Sequence, residues 1–220
     1  MKSIFSYEGK LFQIAERLGN LILLNALYLL FCIPIITIGP ATAALHYVTL
    51  KYAADDEDRV WAPFVHSFKQ NLKQGIVVGL ITTGLGVFLA FDLYWIYQMV
   101  SAGATFDKIV LVLVALACVL YLMGTAYIYP LLARYDNPIK QMFRTALILA
   151  IRHLPATICL AILSGVPIAM IMYSPVTLMI ALTLYVFIGF AAIAYFQDKL
   201  IVRIFWQYTP REGTEETTQE

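Results

Sequence analysis

The chain has 220 residues, 61% of them apolar and only 13% charged, with 15 basic against 14 acidic side chains and a net charge of +1. A soluble globular domain carries about a quarter charged residues, so this composition excludes one; near-neutral charge without a basic soluble domain excludes a grip on nucleic acid. Four stretches, 18–50, 74–91, 109–133 and 153–197, contain no Asp, Glu, Lys or Arg, and apolar runs of 18 or more residues are long enough to cross a bilayer as helix. The expected fold is all-α: a polytopic helical membrane protein with about five transmembrane helices, a broken first segment and two cytoplasmic amphipathic helices.

In chain order, the lead-in Phe5, Leu11, Phe12, Ala15 and Leu18 is amphipathic, with Lys10, Gln13, Glu16 and Arg17 on its polar side, and predicts a helix from about Ser6 to Phe31. A secretory signal is not expected, because Glu8 and Glu16 sit where a short basic region belongs and the apolar block runs past Ala41-Thr42-Ala43. Pro34, Gly39 and Pro40 split this block. The expectation is a non-helical break over Pro34–Gly39 and a second helix from Pro40 to about Ala53, with Thr37 accepting a bond from the amides freed there. At ~1.5 Å per residue neither half, Leu21–Ile33 or Ala41–Leu50, spans a bilayer alone. The block is therefore either one kinked crossing or a helix that breaks and turns back.

Next, Trp61, Phe64, Val65, Phe68 and Leu72 recur at helical spacing, while His66, Lys69, Gln70 and Lys73 point elsewhere. This predicts an amphipathic helix lying on the membrane face or in a partner groove. Gly75–Met99 and Ile109–Pro130 each read as one span. A second basic-aromatic helix covers 139–152, and Leu154–Tyr173 and Val176–Phe196 follow as two spans with a tight turn at Ser174-Pro175. The two amphipathic helices match at an offset of about 75 residues, Pro63-Phe64 with Pro138-Ile139 and Phe68-Lys69 with Phe143-Arg144. A weak parallel repeat over 60–130 and 138–205 is read from this, within a single transmembrane domain 1–210. Residues 211–220 hold no apolar side chain and are expected to form a disordered cytoplasmic tail.

Basic residues orient the spans. With five crossings, Lys2, Lys10, Arg17 and Lys108 lie on one side and the other eleven of the fifteen Lys and Arg on the other; with a re-entrant first block, fourteen of fifteen share a side. Both schemes put 51–73, 131–153 and the C-terminus in the cytoplasm. Five crossings is the favoured expectation, because a crossing needs less shielding of the broken backbone.

Residues with chemistry are sparse. The three cysteines and three histidines are dispersed, no metal spacing or nucleophile motif is present, and neither catalytic residues nor a cofactor or metal site are expected. Asp55-Asp56-Glu57-Asp58 lacks calcium-loop spacing and reads as a solvated turn. Asp92 reads as the one carboxylate inside a span, where an ionisable group is functional by default, although Tyr94, Trp95 and Tyr97 place it near an interface. Asn25 and Thr37 can join spans by hydrogen bonds, and Gly75, Gly79, Thr83 and Gly86 permit a close helix contact.

The arrangement from Asn25 through Ile33-Pro34-Ile35-Ile36-Thr37-Ile38-Gly39-Pro40-Ala41-Thr42, then Trp61, Phe64, Phe68 and Asn71-Leu72-Lys73-Gln74, then Tyr129-Pro130-Leu131-Leu132-Ala133-Arg134-Tyr135 resembles the YesL-like family of small bacterial integral membrane proteins, which carry domain of unknown function 624. The resemblance covers about Phe5 to Trp206. It implies a multi-pass protein of the bacterial cell membrane, of a kind often encoded beside carbohydrate-uptake and polysaccharide-degradation systems, and it transfers no catalytic residue. Residues expected to matter for structure or interaction are Asn25, Pro34, Thr37, Gly39, Pro40, Thr42, Trp61, Phe68, Asn71, Asp92, Arg134 and Phe143. The expected function is non-enzymatic: an accessory or permease-like subunit of solute, foremost carbohydrate, uptake. Its partners would be the bilayer and a cytoplasmic or membrane protein of an uptake system. An independent small-solute carrier, a regulatory or scaffold membrane protein, and a membrane enzyme are the alternatives.

Overall fold

The computed structural model describes residues 10–56, 59–101, 105–173 and 175–207; the tail 211–220, the expected turn residue Ser174 and the start of the expected first helix, 6–9, lie outside the described residues. Every regular element among those described is helical: α1 (Lys10–Phe31), a 3-10 turn (Ile35–Thr37), α2 (Ile38–Ala53), α3 (Trp61–Gln70), α4 (Leu72–Ser101), α5 (Thr105–Arg134), α6 (Ile139–Arg152), α7 (Leu154–Tyr173), α8 (Pro175–Leu184), a π turn (Tyr185–Gly189) and α9 (Phe190–Phe205). Four helical stretches among the described residues are long and apolar enough to cross a membrane, Ile14–Phe31, Leu72–Met99, Lys108–Arg134 and Val176–Phe205; α6 with the first part of α7, bent by 107°, makes a fifth only where the pair counts as one broken span. The fold class is thus the one the composition dictates. Large apolar side chains on these helices face outward, among them Phe88, Phe91, Val112, Leu113, Ile162 and Phe187, because hydrocarbon rather than water is their solvent.

The first block breaks close to where its prolines require. After Phe31 the helix stops, Pro34 is extended at φ −76°, ψ 116°, and α2 begins at Ile38, so Gly39 and Pro40 occupy its first turn rather than the break. Proline is tolerated there because those amides have no intrahelical partner. Thr37 acts opposite to expectation. Its hydroxyl makes no cap on α2; it lies 2.6 Å from the carbonyl oxygens of Phe31 and Pro34, serving the acceptors left by the end of α1.

At its other end α2 closes with Asp55 in the left-handed region, φ 55°. Asp56 N–H donates to Lys51 O at 3.0 Å and Asp55 N–H to Tyr52 O at 3.3 Å, the bond pair that usually recruits glycine at this site. Asp tolerates that conformation better than most side chains. The same Asp55 receives Arg17 of α1 at 2.5 Å, in an exposed ion pair.

That pair decides the course of the block. It brings the early part of α1 beside the residue just after α2, so the chain doubles back, and the expectation of a single kinked crossing gives way to a hairpin. The length argument behind it also changes, since the apolar window of α1 starts at Ile14 and reaches 18 residues on its own.

α2 is the hub. Eleven of its sixteen residues are buried, and it packs against α1, α3, α4, α5 and α9. Small residues make this possible: a Cβ on Gly39 would overlap the Gly75 carbonyl and stand 2.8 Å from Gly79 Cα, and one on Gly75 would stand 2.7 Å from Pro40 Cα. Here α2 and α4 cross backbone to backbone, as small-residue pairs allow. Of the other two small residues, Thr83 is exposed and Gly86 instead faces the Tyr121 ring of α5.

The amphipathic helices are used from within. In α3 the buried side is Pro63, Phe64 and Ser67, whereas Trp61 is exposed, so the inner face is rotated from the one expected. Phe31 packs edge-on to Phe64 and Phe68, centroids 5.3 and 4.7 Å apart. Phe68 therefore anchors α3 to α1 instead of standing ready for a partner, and Phe143 of α6 likewise packs on the main core. α5 runs through Pro130 to Arg134, one turn beyond the expected span, and α9 continues to Phe205, well past Phe196.

Candidate functional site

The last extension carries a carboxylate into the core. Asp198 of α9 is fully buried. His46 Nδ1 lies 3.0 Å from both of its carboxylate oxygens, and the Thr49 hydroxyl donates to Oδ2. His46 and Thr49 are one turn apart on α2, so a single helix face presents both donors. When ionised, the carboxylate can only accept, and the His46 Nδ1 and the Thr49 hydroxyl then stand as its two donors. The Tyr129 ring lies parallel to the imidazole at 6.5 Å, and its hydroxyl is 2.7 Å from Thr82 of α4. Four helices, α2, α4, α5 and α9, thus meet around one polar cluster.

A second polar joint lies between α1 and the π turn. Asn25, wholly buried, donates from Nδ2 to the carbonyls of Tyr185 (3.0 Å) and Val186 (2.8 Å) and accepts the Ala191 amide (3.1 Å). A π turn disturbs the i to i−4 ladder, and one carboxamide supplies the missing donor and acceptor. Smaller joints tie α9 to α7 through Gln197 and Ser164 (2.8 Å) and α5 to α7 through Tyr127 and Thr157 (3.0 Å).

The remaining expected residues fall into separate places. Pro34 is exposed at the tip of the break, while Gly39 and Pro40 form the crossing with α4. Thr42 bonds Ile38 O at 2.7 Å and approaches the Tyr28 hydroxyl at 3.4 Å. Asn71 is buried at the α3–α4 junction, its amide on Ser67 O at 3.1 Å. Asp92 sits half-buried near the end of α4, away from the cluster. Arg134 covers the rings of Tyr135 and Phe205 and, with Tyr47, Lys51, Asp56 and Trp206, lines a cavity of about 360 Å³. No three His, Cys, Asp or Glu side chains among the described residues are placed to hold a metal.

Residues 21–93 match the model of a family described as a protein of unknown function, DUF624. A relative described as uncharacterized protein YesL, from Bacillus subtilis (strain 168), is 26% identical over 166 residues, covering 73% of this chain and 76% of that protein. Over these stretches the chain is similar to DUF624 and to YesL. No solved structure matches it. The DUF624 match runs from α1 through the proline break, α2 and α3 into α4, so it holds the glycine crossing and both α2 donors of the polar cluster; Asp198 lies beyond it.

Reading the sequence for charges inside spans singled out Asp92 and missed Asp198. The missed signal was present: Asp198 ends the longest charge-free run, and an aromatic pair, Tyr195-Phe196, precedes it. Placing the span's end at that pair put Asp198 on the cytoplasmic side. His46-x-x-Thr49 in an otherwise apolar helix was the complementary signal.

Proposed function

We propose that this YesL-like protein is a non-enzymatic multi-pass protein of the cell membrane, with a cytoplasmic C-terminus, that serves solute uptake as an accessory or permease-like subunit. The observation that carries the reading is the closed polar centre. His46 and Thr49 both bond Asp198 beside the Tyr129 ring, and none of the three lines the 360 Å³ cavity at Arg134. An acid–base or metal centre needs groups converging on space for a substrate, and a carrier needs a polar path; a sealed pair serves neither and holds helices together. An outward partner surface is supplied by α6, whose Leu147, Ile148 and Ile151 are exposed on a helix turned 107° from α7.

The test is purification of the tagged intact protein from its own host in mild detergent, with uptake measured in a deletion strain. Recovery of an identified transmembrane subunit of an uptake system, weakened by Ile148→Ser with Ile151→Ser, and a fall in uptake of that system's solute support the reading. Solute flux by the pure protein in proteoliposomes would replace it with an independent carrier.

A further inference from the structure

Between α4, α5 and α6 the helices leave a lateral groove of about 610 Å³, lined by Ile81, Leu85, Leu120, Tyr121, Gly124 and, from α6, Arg144, with other apolar side chains. This is a volume proper to a bound small molecule. We propose that the groove is a site for one acyl chain of an anionic phospholipid, whose phosphate is held by Arg144.

The groove runs along α4 from Ile81 to Leu89, about 12 Å at helical rise, and is apolar over that length. Val87 and Phe88 of α4 and Leu113 and Leu116 of α5 are exposed, as suits helices that meet hydrocarbon, so a chain enters sideways from the bilayer. Cationic character sits at one place only. Arg144 lines the groove and Lys140 stands one turn before it on α6; both are exposed and neither forms an ion pair among the described residues. An apolar slot with one cation in its lining has the polarity of an amphiphile with an anionic head. A partner helix would have no use for charge at that spot, and a zwitterionic lipid would gain less from it. Gly124 keeps the floor open: a Cβ there would meet nothing within 4 Å. The inference does not depend on a role in uptake.

The full-length protein in detergent, titrated with phosphatidylglycerol and with phosphatidylcholine of the same chains and read by native mass spectrometry, tests it. Phosphatidylglycerol should bind about fivefold tighter, as one basic group at the headgroup predicts, and Arg144→Gln should bring the ratio close to one. Gly124→Phe places a ring in the groove without a backbone clash and should remove the bound lipid of either kind while leaving lipid-free thermal unfolding unchanged or raised; Gly124→Leu serves the same end with a smaller side chain. Equal binding of the two lipids, an unchanged preference in Arg144→Gln, undiminished binding in both Gly124 variants, or a second copy cross-linking through cysteines placed at Leu120 and Leu147 in place of lipid would overturn it.

Discussion

Asp198 and His46 are each other's main compensation for burial, and this fixes what substitutions should do. His46→Ala leaves the carboxylate with Thr49 alone in a dry interior, at a cost of about 3–5 kcal/mol. Asp198→Asn removes the charge together with its desolvation and keeps an oxygen for one donor, so it should cost less. Thermal unfolding in detergent should rank the two in that order, and a reversal would mean the carboxylate is not the group that needs its partner. At Asn25 the argument concerns geometry. Its carboxamide bonds two carbonyls of the π turn and one amide at the start of α9, and the nearly isosteric Asn25→Leu leaves these buried groups unserved, for about 1–3 kcal/mol each where no substitute is found. A Tm unchanged from the native protein would show that the turn satisfies itself.

At the scale of elements, the crossing of α2 over α4 is the tightest joint. Gly39→Ala or Gly75→Ala drives a methyl into opposing backbone, which cannot swing away as a side chain can, and overpacking of this kind costs about 1–3 kcal/mol. Gly84→Ala meets open space and, by helix propensity, should gain about 0.5–1 kcal/mol. Opposite shifts of Tm for the two glycines check the crossing directly. Much of this level was legible in the sequence. Pro34 and the Gly39-Pro40 pair placed the break within a few residues, and the α6 limits agree with those read from its periodicity. Trp61 misled, because spacing alone cannot say which flank of an apolar stripe faces inward when the neighbour is another apolar helix. Phe68 misled for the same reason: an apolar face at a membrane surface looks alike whether its occupant is lipid, a partner or Phe31.

For the molecule as a whole, the ion pair of Arg17 with Asp55 predicts that the N-terminus lies on the same side as the α2–α3 connection. In a protein whose Cys32, Cys118 and Cys159 are replaced by alanine, Ser3→Cys and Asp56→Cys should both be labelled by an impermeant maleimide from the same side; labelling from opposite sides would restore the single crossing. Breaking the pair itself by Arg17→Gln should change stability by no more than about 1 kcal/mol, since it is exposed. Span content could be read from composition, because the charge-free runs are enforced by lipid. The centre could not, because which helix face meets which depends on contacts such as His46 with Asp198, 152 residues apart.

The π turn sets an angular phase. Each residue of an α-helix advances the side chains by about 100°, and the turn at Tyr185–Gly189 acts as one residue of slack between α8 and α9. Deleting one residue there removes the slack and leaves α8 and α9 in phase, whereas adding one in regular helix beyond it would swing Asp198 by about that angle relative to α8. With α8 held in place, the carboxylate would leave His46 and Thr49. The segment from Tyr185 to Gly189 and the helix after it are therefore less tolerant of a residue gained than of one lost, and an insertion is felt at a charge more than two turns away.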